Sequence, residues 1–188
     1  MIEQLNNVVP NEIALKIRQA FIDADYDEVI QKRRKKYTLE KDEKFQATPD
    51  PQEVFSAHYH RSRYLENSAL IKKVYEEYIL PVIIQRTNCV FLHHDLRCYK
   101  MTSGGHFRIH KDDYQSSFGF IWYLSKDWKW DWGGLLITVN EGLSANVYIP
   151  QFNNLVIIDH QEGQIPHFVS EVAIHALEPR LMLVGFLQ

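Results

Sequence analysis

Cysteine is nearly absent: Cys89 and Cys98 are the only two in 188 residues. Two cannot build a disulfide framework, and no CxxC is present, which excludes a disulfide-stapled scaffold and a redox dithiol motif. Both lie among apolar residues, where a thiol behaves as a small hydrophobe, and this suits a reducing compartment. Long apolar runs are missing too. None approaches the ~20 residues that a membrane-crossing helix needs. Met1–Asn7 has neither the basic nor the apolar segment of a signal peptide, so a cytoplasmic protein without a membrane partner is expected. Charge of one sign is also lacking: 21 Lys and Arg oppose 24 Asp and Glu, for a net charge of -3. Without a basic stripe, no nucleic-acid partner is expected. The one basic run, Lys32–Lys36, lies near the acidic Glu40–Glu43 and reads as a solvated face.

What is there is an ordinary globular balance, 45% hydrophobic and 24% charged, with an aromatic share of 13% that suits a β-rich core. The length fits one domain, 1–188. Its first part, 1–88, reads as helical and irregular. Asn11 caps a helix carrying Ile13, Ala14, Ile17, Ala20 and Phe21 at helical spacing. A second helix starts after Asn67 and runs to about Leu80, with Leu70, Ile71, Val74, Tyr75 and Tyr78 as its stripe and Pro81 as its end or kink. Thr48–Pro51 is a turn signal. From residue 89 the texture changes to short β-branched and aromatic runs between turn residues. The spacing predicts strands over 90–100, 106–111, 117–124, 134–139, 145–149, 154–159, 167–174 and 180–187. Strands at this spacing indicate a barrel or jelly roll. The expected class is α+β, mainly β, with helices packed outside a β core.

Two features carry chemistry. In a strand, residues i and i+2 share a face, so His110 and Asp112 would project an imidazole and a carboxylate together. Iron(II) that must leave positions open for oxygen takes two imidazoles and one carboxylate on one face of its octahedron. His167, in a later strand-like run, supplies a third group. A lone HxD is a weak signal, and a second one, His93-His94-Asp95, occurs in the same chain. The other feature is Arg180, the single charge in the apolar run Pro179–Phe186. A charge in a core needs a partner. That partner is a carboxylate of the protein or the planar carboxylate of a ligand, which matches the guanidinium fork, unless Arg180 lies at a strand end in water.

Taken in order, these residues resemble the prolyl-4-hydroxylase-like branch of the 2-oxoglutarate- and iron(II)-dependent dioxygenases. Cys98-Tyr99 and Gly104-Gly105 resemble the turn before the metal strand. His110-Lys111-Asp112 matches the HxD ligands, and Ile121–Trp128 resembles the following strand and loop. Trp132–Leu136, Ala145–Pro150 and Asn154–Ile158 resemble the next strands. Pro166–Val172 matches the distal histidine, and Arg180 the carboxylate anchor. The resemblance covers Cys98 to Phe186. It implies a double-stranded β-helix (a jelly-roll, cupin-like core) over 89–188, with His110, Asp112 and His167 as catalytic metal ligands. It implies Fe(II) as metal, and 2-oxoglutarate and O2 as co-substrates. It places 2-oxoglutarate on Arg180 with Tyr99 and Tyr123 beside it, and it implies hydroxylation with release of succinate and CO2. The carboxylate at Asp112 argues against halogenation, since related halogenases lack it. Two departures stand out: His167 to Arg180 spans 13 positions, longer than is usual, which requires residues around His175 to Pro179 to loop out, and Ser125 replaces the usual asparagine.

Candidate substrate contacts are Trp130 and Trp132, which could stack on a ring, Arg61 and Arg63 in the irregular segment, and His106 near the entrance. The substrate class stays open between a small molecule and a peptidyl residue. Two other readings use the same residues: a non-redox jelly-roll metalloenzyme of isomerase or hydrolase type, and a non-catalytic barrel acting as a binding or sensor module.

Overall fold

The computed structural model describes residues 2–34, 54–112, 117–139, 144–161 and 165–188. The turn expected at Thr48–Pro51, the end of the basic run and the acidic Glu40–Glu43 lie outside them. In chain order the elements are β1 (Ile2–Asn6), α1 (Asn11–Asp23), β2 (Asp27–Arg34), β3 (Val54–Arg61), α2 (Arg63–Glu66), α3 (Ala69–Val74), a π-helical turn (Tyr75–Ile79) and α4 (Leu80–Thr87). There follow β4 (His94–Met101), β5 (His106–His110), β6 (Phe118–Tyr123), a 3-10 turn (Trp130–Trp132), β7 (Leu136–Val139), β8 (Ala145–Tyr148), β9 (Asn154–Asp159), β10 (His167–Val169) and β11 (Arg180–Leu187).

The strands form one antiparallel sheet in the order β1-β9-β6-β11-β4-β3-β5-β10-β7-β8, with β2 paired to β3. The sheet folds over at β3, whose His60 and Arg61 pair with β4 while Ala57 and His58 pair with β5. The result is a double-stranded β-helix with helices outside, the class read from the sequence. In β6 all of Phe118–Tyr123 is buried, because both faces are covered. Phe118, Phe120 and Trp122 face outward with Leu181, Leu183 and Leu187 of β11, and on them pack Ile17 and Phe21 of α1 and Ile71, Tyr75, Ile79 and Ile83 of the helical run. Ile121 and Tyr123 face the barrel interior with Val156, Ile158 and Met182.

Three expectations need correction. The first half is not only helical and irregular: it supplies β1, β2 and β3. These segments are polar and pair with distant strands, so their local pattern carries little strand signal. The second helical run does not stop at Leu80. It passes Pro81 and ends at Asn88, which closes α4 at φ 54°. A π turn precedes the proline, with the Leu80 N–H reaching the Tyr75 carbonyl, and Pro81, lacking an N–H, sits in the first turn of the next segment. The strand expected over 167–174 ends at Val169. From there the chain leaves the ladder: Ser170 N bonds Leu135 O at 3.0 Å and Val172 N bonds Gly105 O at 2.9 Å.

The amino-terminal segment is tied to the barrel by Asn153, buried at φ 61°. Its Oδ1 accepts from Val9 N at 3.2 Å and from Trp122 Nε1 at 3.1 Å, and its Nδ2 donates to Val9 O at 2.6 Å. Asn153→Leu strands these groups without partners and forces a branched side chain into the left-handed region. It is expected to lower unfolding free energy by about 2–4 kcal/mol, read by urea denaturation. A change below about 0.5 kcal/mol would show the hub to be dispensable.

Candidate metal and co-substrate site

His110 closes β5, and Asp112 follows it outside the strand. The two therefore do not converge by strand alternation, as the sequence reading assumed. A bulge does part of the work. Phe107 pairs with Val169 and His110 with His167, three residues against two. The extra residue turns His110 to the same inner face as Phe107, whose ring centroid lies 6.0 Å from its own. His167, first residue of β10, stands beside it with ring centroids 4.4 Å apart.

Among the described residues, one group of donors could hold an ion: His110, Asp112 and His167, whose ligand atoms all lie within 4.8 Å of one another. Asp112 Oδ1 is 3.7 Å from Nε2 of each histidine. His110 Nδ1 contacts Arg108 O at 2.7 Å and His167 Nδ1 contacts Ile165 O at 2.9 Å. A carbonyl only accepts, so each Nδ1 donates and each Nε2, on the Asp112 side of its ring, is the atom that could bind a metal. Two neutral imidazoles and one carboxylate on one side suit iron(II) with open positions.

A fourth residue completes the arrangement. His160 Nε2 lies 3.2 Å from Asp112 Oδ2, with its side chain fully buried. An ionised carboxylate only accepts, so His160 donates. It stands behind Asp112, outside the donor group, and holds one oxygen while the other faces the histidines. Gly119 of β6 faces the pair: a Cβ there would sit in ordinary contact, 3.5 Å from His160 Nε2 and 3.8 Å from Asp112 Oδ2. His160 is not in the donor group, and no motif signals that the end of β9 delivers it to Asp112.

Burial holds His110 down to about 4, assisted by neighbouring His167 and opposed by Asp112. For Asp112, burial favours the protonated form, but His167, the His160 hydrogen bond and His110 outweigh it and hold the carboxyl well below its usual range. The unfolded chain titrates His110 at its ordinary 6.5. Between that value and about 4 the unfolded state therefore binds more protons than the folded one. Metal-free protein is expected to keep its full stability above about 6.5 and to lose it as pH falls toward 4. Thermal melts across this window check the sign, and a flat Tm would contradict it.

The inner face of the barrel leads from these ligands to a buried cation. Along β11 it carries Phe186, Val184, Met182 and Arg180, opposite Asp95, Arg97, Tyr99 and Met101 of β4. Exposure falls along this line: the Asp95 and Arg97 side chains are 51% and 33% accessible, while Tyr99 is 5% and Arg180 0%. The barrel thus opens at the Asp95 end and closes at Arg180. Arg180 Nε donates to Gly134 O at 2.7 Å and Nη2 to Tyr123 OH at 3.3 Å, while Nη1 meets the sulfurs of Met101 and Met182. No carboxylate among the described residues pairs with it. Burial lowers its pKa, opposed by Tyr123. A buried guanidinium whose partners are a carbonyl, a phenol and two thioethers retains the need for an anion. Tyr99 and Tyr123 flank Met182 in one cross-strand row.

The remaining sequence candidates lie elsewhere. Trp132 is buried against Trp128, ring centroids 5.3 Å apart, whereas Trp130 is 64% exposed. Arg61 is clamped by Glu66 at 2.7 and 2.9 Å, and Arg63 is exposed on α2. His106 is tied to Ser56 Oγ and Gly104 O, both at 2.9 Å, on the strand face opposite Phe107. Residues 173–179 do loop out, with Ile174 and Leu177 exposed and Glu178 paired to Arg18 at 2.5 Å.

The profile of the 2OG-Fe(II) oxygenase superfamily matches residues 95–188, half of the chain. The protein belongs to that family. The oxygenase has no match among curated sequences. Its fold is shared with a Pseudomonas putida prolyl-4-hydroxylase (TM-score 0.66, 13% identity, 100% of this chain and 91% of that one). It is shared also with a prolyl hydroxylase from Trichoplax adhaerens solved with a hypoxia inducible factor peptide fragment (0.70, 12%, 99% and 82%). A Burkholderia pseudomallei member of the same oxygenase family gives 0.65 at 12% identity, over 100% of this chain and 85% of that one. The family uses Fe(II), 2-oxoglutarate and O2, and the donor set above is of the type such iron takes. No helix among the described residues is long and apolar enough to cross a membrane.

Proposed function

We propose that the chain acts as a single oxygenase domain that hydroxylates a C–H bond of a small molecule or a peptidyl residue. In this reading His110, Asp112 and His167 hold the iron, and Arg180 with Tyr123 holds the far carboxylate of 2-oxoglutarate, with Tyr99 in the adjoining position. The observation that carries it is the pairing of a two-imidazole, one-carboxylate donor group with a carboxylate-seeking, fully buried arginine on one inner face. When bound, iron and 2-oxoglutarate would supply the oxidising chemistry, one atom of O2 going to the substrate and the other into succinate, with CO2 released. The protein's own part is to keep each Nε2 deprotonated, to fix Asp112 through His160, and to seat a dicarboxylate between the metal and Arg180. The burial of Tyr99, Met182 and Tyr123 keeps bulk water from that passage, which strengthens the Arg180 contact. A peptidyl substrate draws support from the peptide held by the Trichoplax protein. A cytoplasmic, reducing setting belongs to the reading, since Cys89 and Cys98 are both free.

The test is anaerobic reconstitution with Fe(II) and titration of 2-oxoglutarate. A charge-transfer band near ~500–550 nm is expected for a keto acid chelating iron in such a site, and its loss in His110→Ala. Metal binding without the band would favour non-redox chemistry.

A further inference from the structure

We propose that Arg97 anchors a carboxylate of the primary substrate at the open end of the barrel. This rests on the oxygenase reading above and adds the chemical class of the substrate. Arg97 projects from β4 one inward position beyond Tyr99. Its guanidinium carbon lies 4.5 Å over the ring of Phe186, and Phe186 pairs with Gly119, the residue that faces Asp112 and His160. The cation is thus linked to Asp112 through Phe186 and Gly119, at the same end of the barrel as the metal ligands. Its orientation is fixed from three sides. Nε and Nη2 donate to Asp95 Oδ2 at 3.0 and 2.6 Å, Nη1 donates to Tyr99 OH at 3.4 Å, and Phe186 covers one face.

These contacts use three of five N–H groups. The two left, one on Nη1 and one on Nη2, can donate to the oxygens of a carboxylate that enters the mouth. The side chain is one-third accessible, so a ligand in the mouth reaches these N–H groups. Asp95 uses a single oxygen for both bonds and is half exposed, so water screens its charge while it holds the fork. Arg61, which pairs across from Tyr99, has its Nε and Nη2 occupied and its charge offset by Glu66. Burial pushes Tyr99 up to about 12, against the pull of Arg97 and Arg61. The far carboxylate of 2-oxoglutarate already has Arg180 at the closed end. Arg97 stands at the opposite, open end, where the molecule to be oxidised must enter.

The test uses the full chain loaded with Mn(II) and saturated with 2-oxoglutarate. Paramagnetic relaxation by the manganese is measured on benzoate, L-proline and L-leucine, and on the corresponding carboxamides. The carboxylates are expected to relax more than their amides. Arg97→Gln is expected to weaken that binding about 10- to 100-fold and Arg97→Lys to restore part of it. The iron and 2-oxoglutarate absorption band should be the same in wild type and both variants. The proposal is overturned if no carboxylate exceeds its amide, if Arg97→Gln leaves the difference unchanged, or if either variant weakens 2-oxoglutarate itself. Absence of the band in wild type would instead remove the oxygenase reading and this proposal with it.

Discussion

Arg180→Leu is expected to weaken 2-oxoglutarate binding by on the order of 10²- to 10³-fold, because removing one partner of a buried ion pair costs about 3–5 kcal/mol. The ligand-free protein should respond in the opposite sense. Arg180 is fully buried, and its hydrogen-bond partners are the Gly134 carbonyl, the Tyr123 hydroxyl and two methionine sulfurs. Without an anion that arrangement leaves a desolvated charge, so leucine should leave the apo Tm unchanged or raise it. Space limits the choice of replacement. A Cβ on Gly134 would already lie 3.0 Å from Arg180 Cδ and 3.1 Å from Trp128 Cζ2, so the pocket is fitted to the arginine stem. Isothermal titration with 2-oxoglutarate and a melt of the apo protein read the two effects separately. A large fall in apo Tm with unchanged affinity would show that Arg180 is a structural residue and that the co-substrate is held elsewhere.

His160→Phe is expected to lower metal affinity about 10- to 100-fold, the usual cost of removing a hydrogen-bond partner from a ligand. The imidazole fixes Asp112 Oδ2 at 3.2 Å while Oδ1 faces the two histidines at 3.7 Å. Phenylalanine keeps the ring volume and removes the donor, so the carboxylate is free to rotate and loses a bond that favours its charged form. Its effect separates orientation from packing. Glutamine, which can place an N–H near the same point, should recover most of the affinity. Competition for Co(II) with a calibrated chelator measures this without turnover. Equal affinity in wild type and His160→Phe would mean that the metal alone orients Asp112.

Much of the site was legible in the sequence for a chemical reason. Histidine, aspartate and a lone arginine in an apolar strand are costly choices in a core, so His110, Asp112, His167 and Arg180 stand out as candidates, and their order along the chain, through the family resemblance, ties them to one site. The order of strands from β4 onward was legible too. Short β-branched and aromatic runs between turns have a period that survives in one dimension, and the ranges for β9 and β11 agree with it.

Other features depend on contacts between distant parts of the chain. Leu5 sits in a strand because β9 offers an edge to β1, Tyr59 because β4 and β5 flank β3, and Val29 because β2 then pairs with β3, none of which a local pattern announces. The inward turn of His110 comes from a bulge defined against β10, so it is the bulge and not strand alternation that brings His110 toward Asp112. His160 and Arg97 look ordinary in the sequence. One gains its role because β9 ends behind Asp112, the other because β11 brings Phe186 under its guanidinium. The sequence by itself determined which side chains could carry the chemistry, since that depends on residue type. The tertiary structure decided which of them meet and which oxygen or nitrogen faces the metal position, since a strand's register and a side chain's direction are set by partners far along the chain.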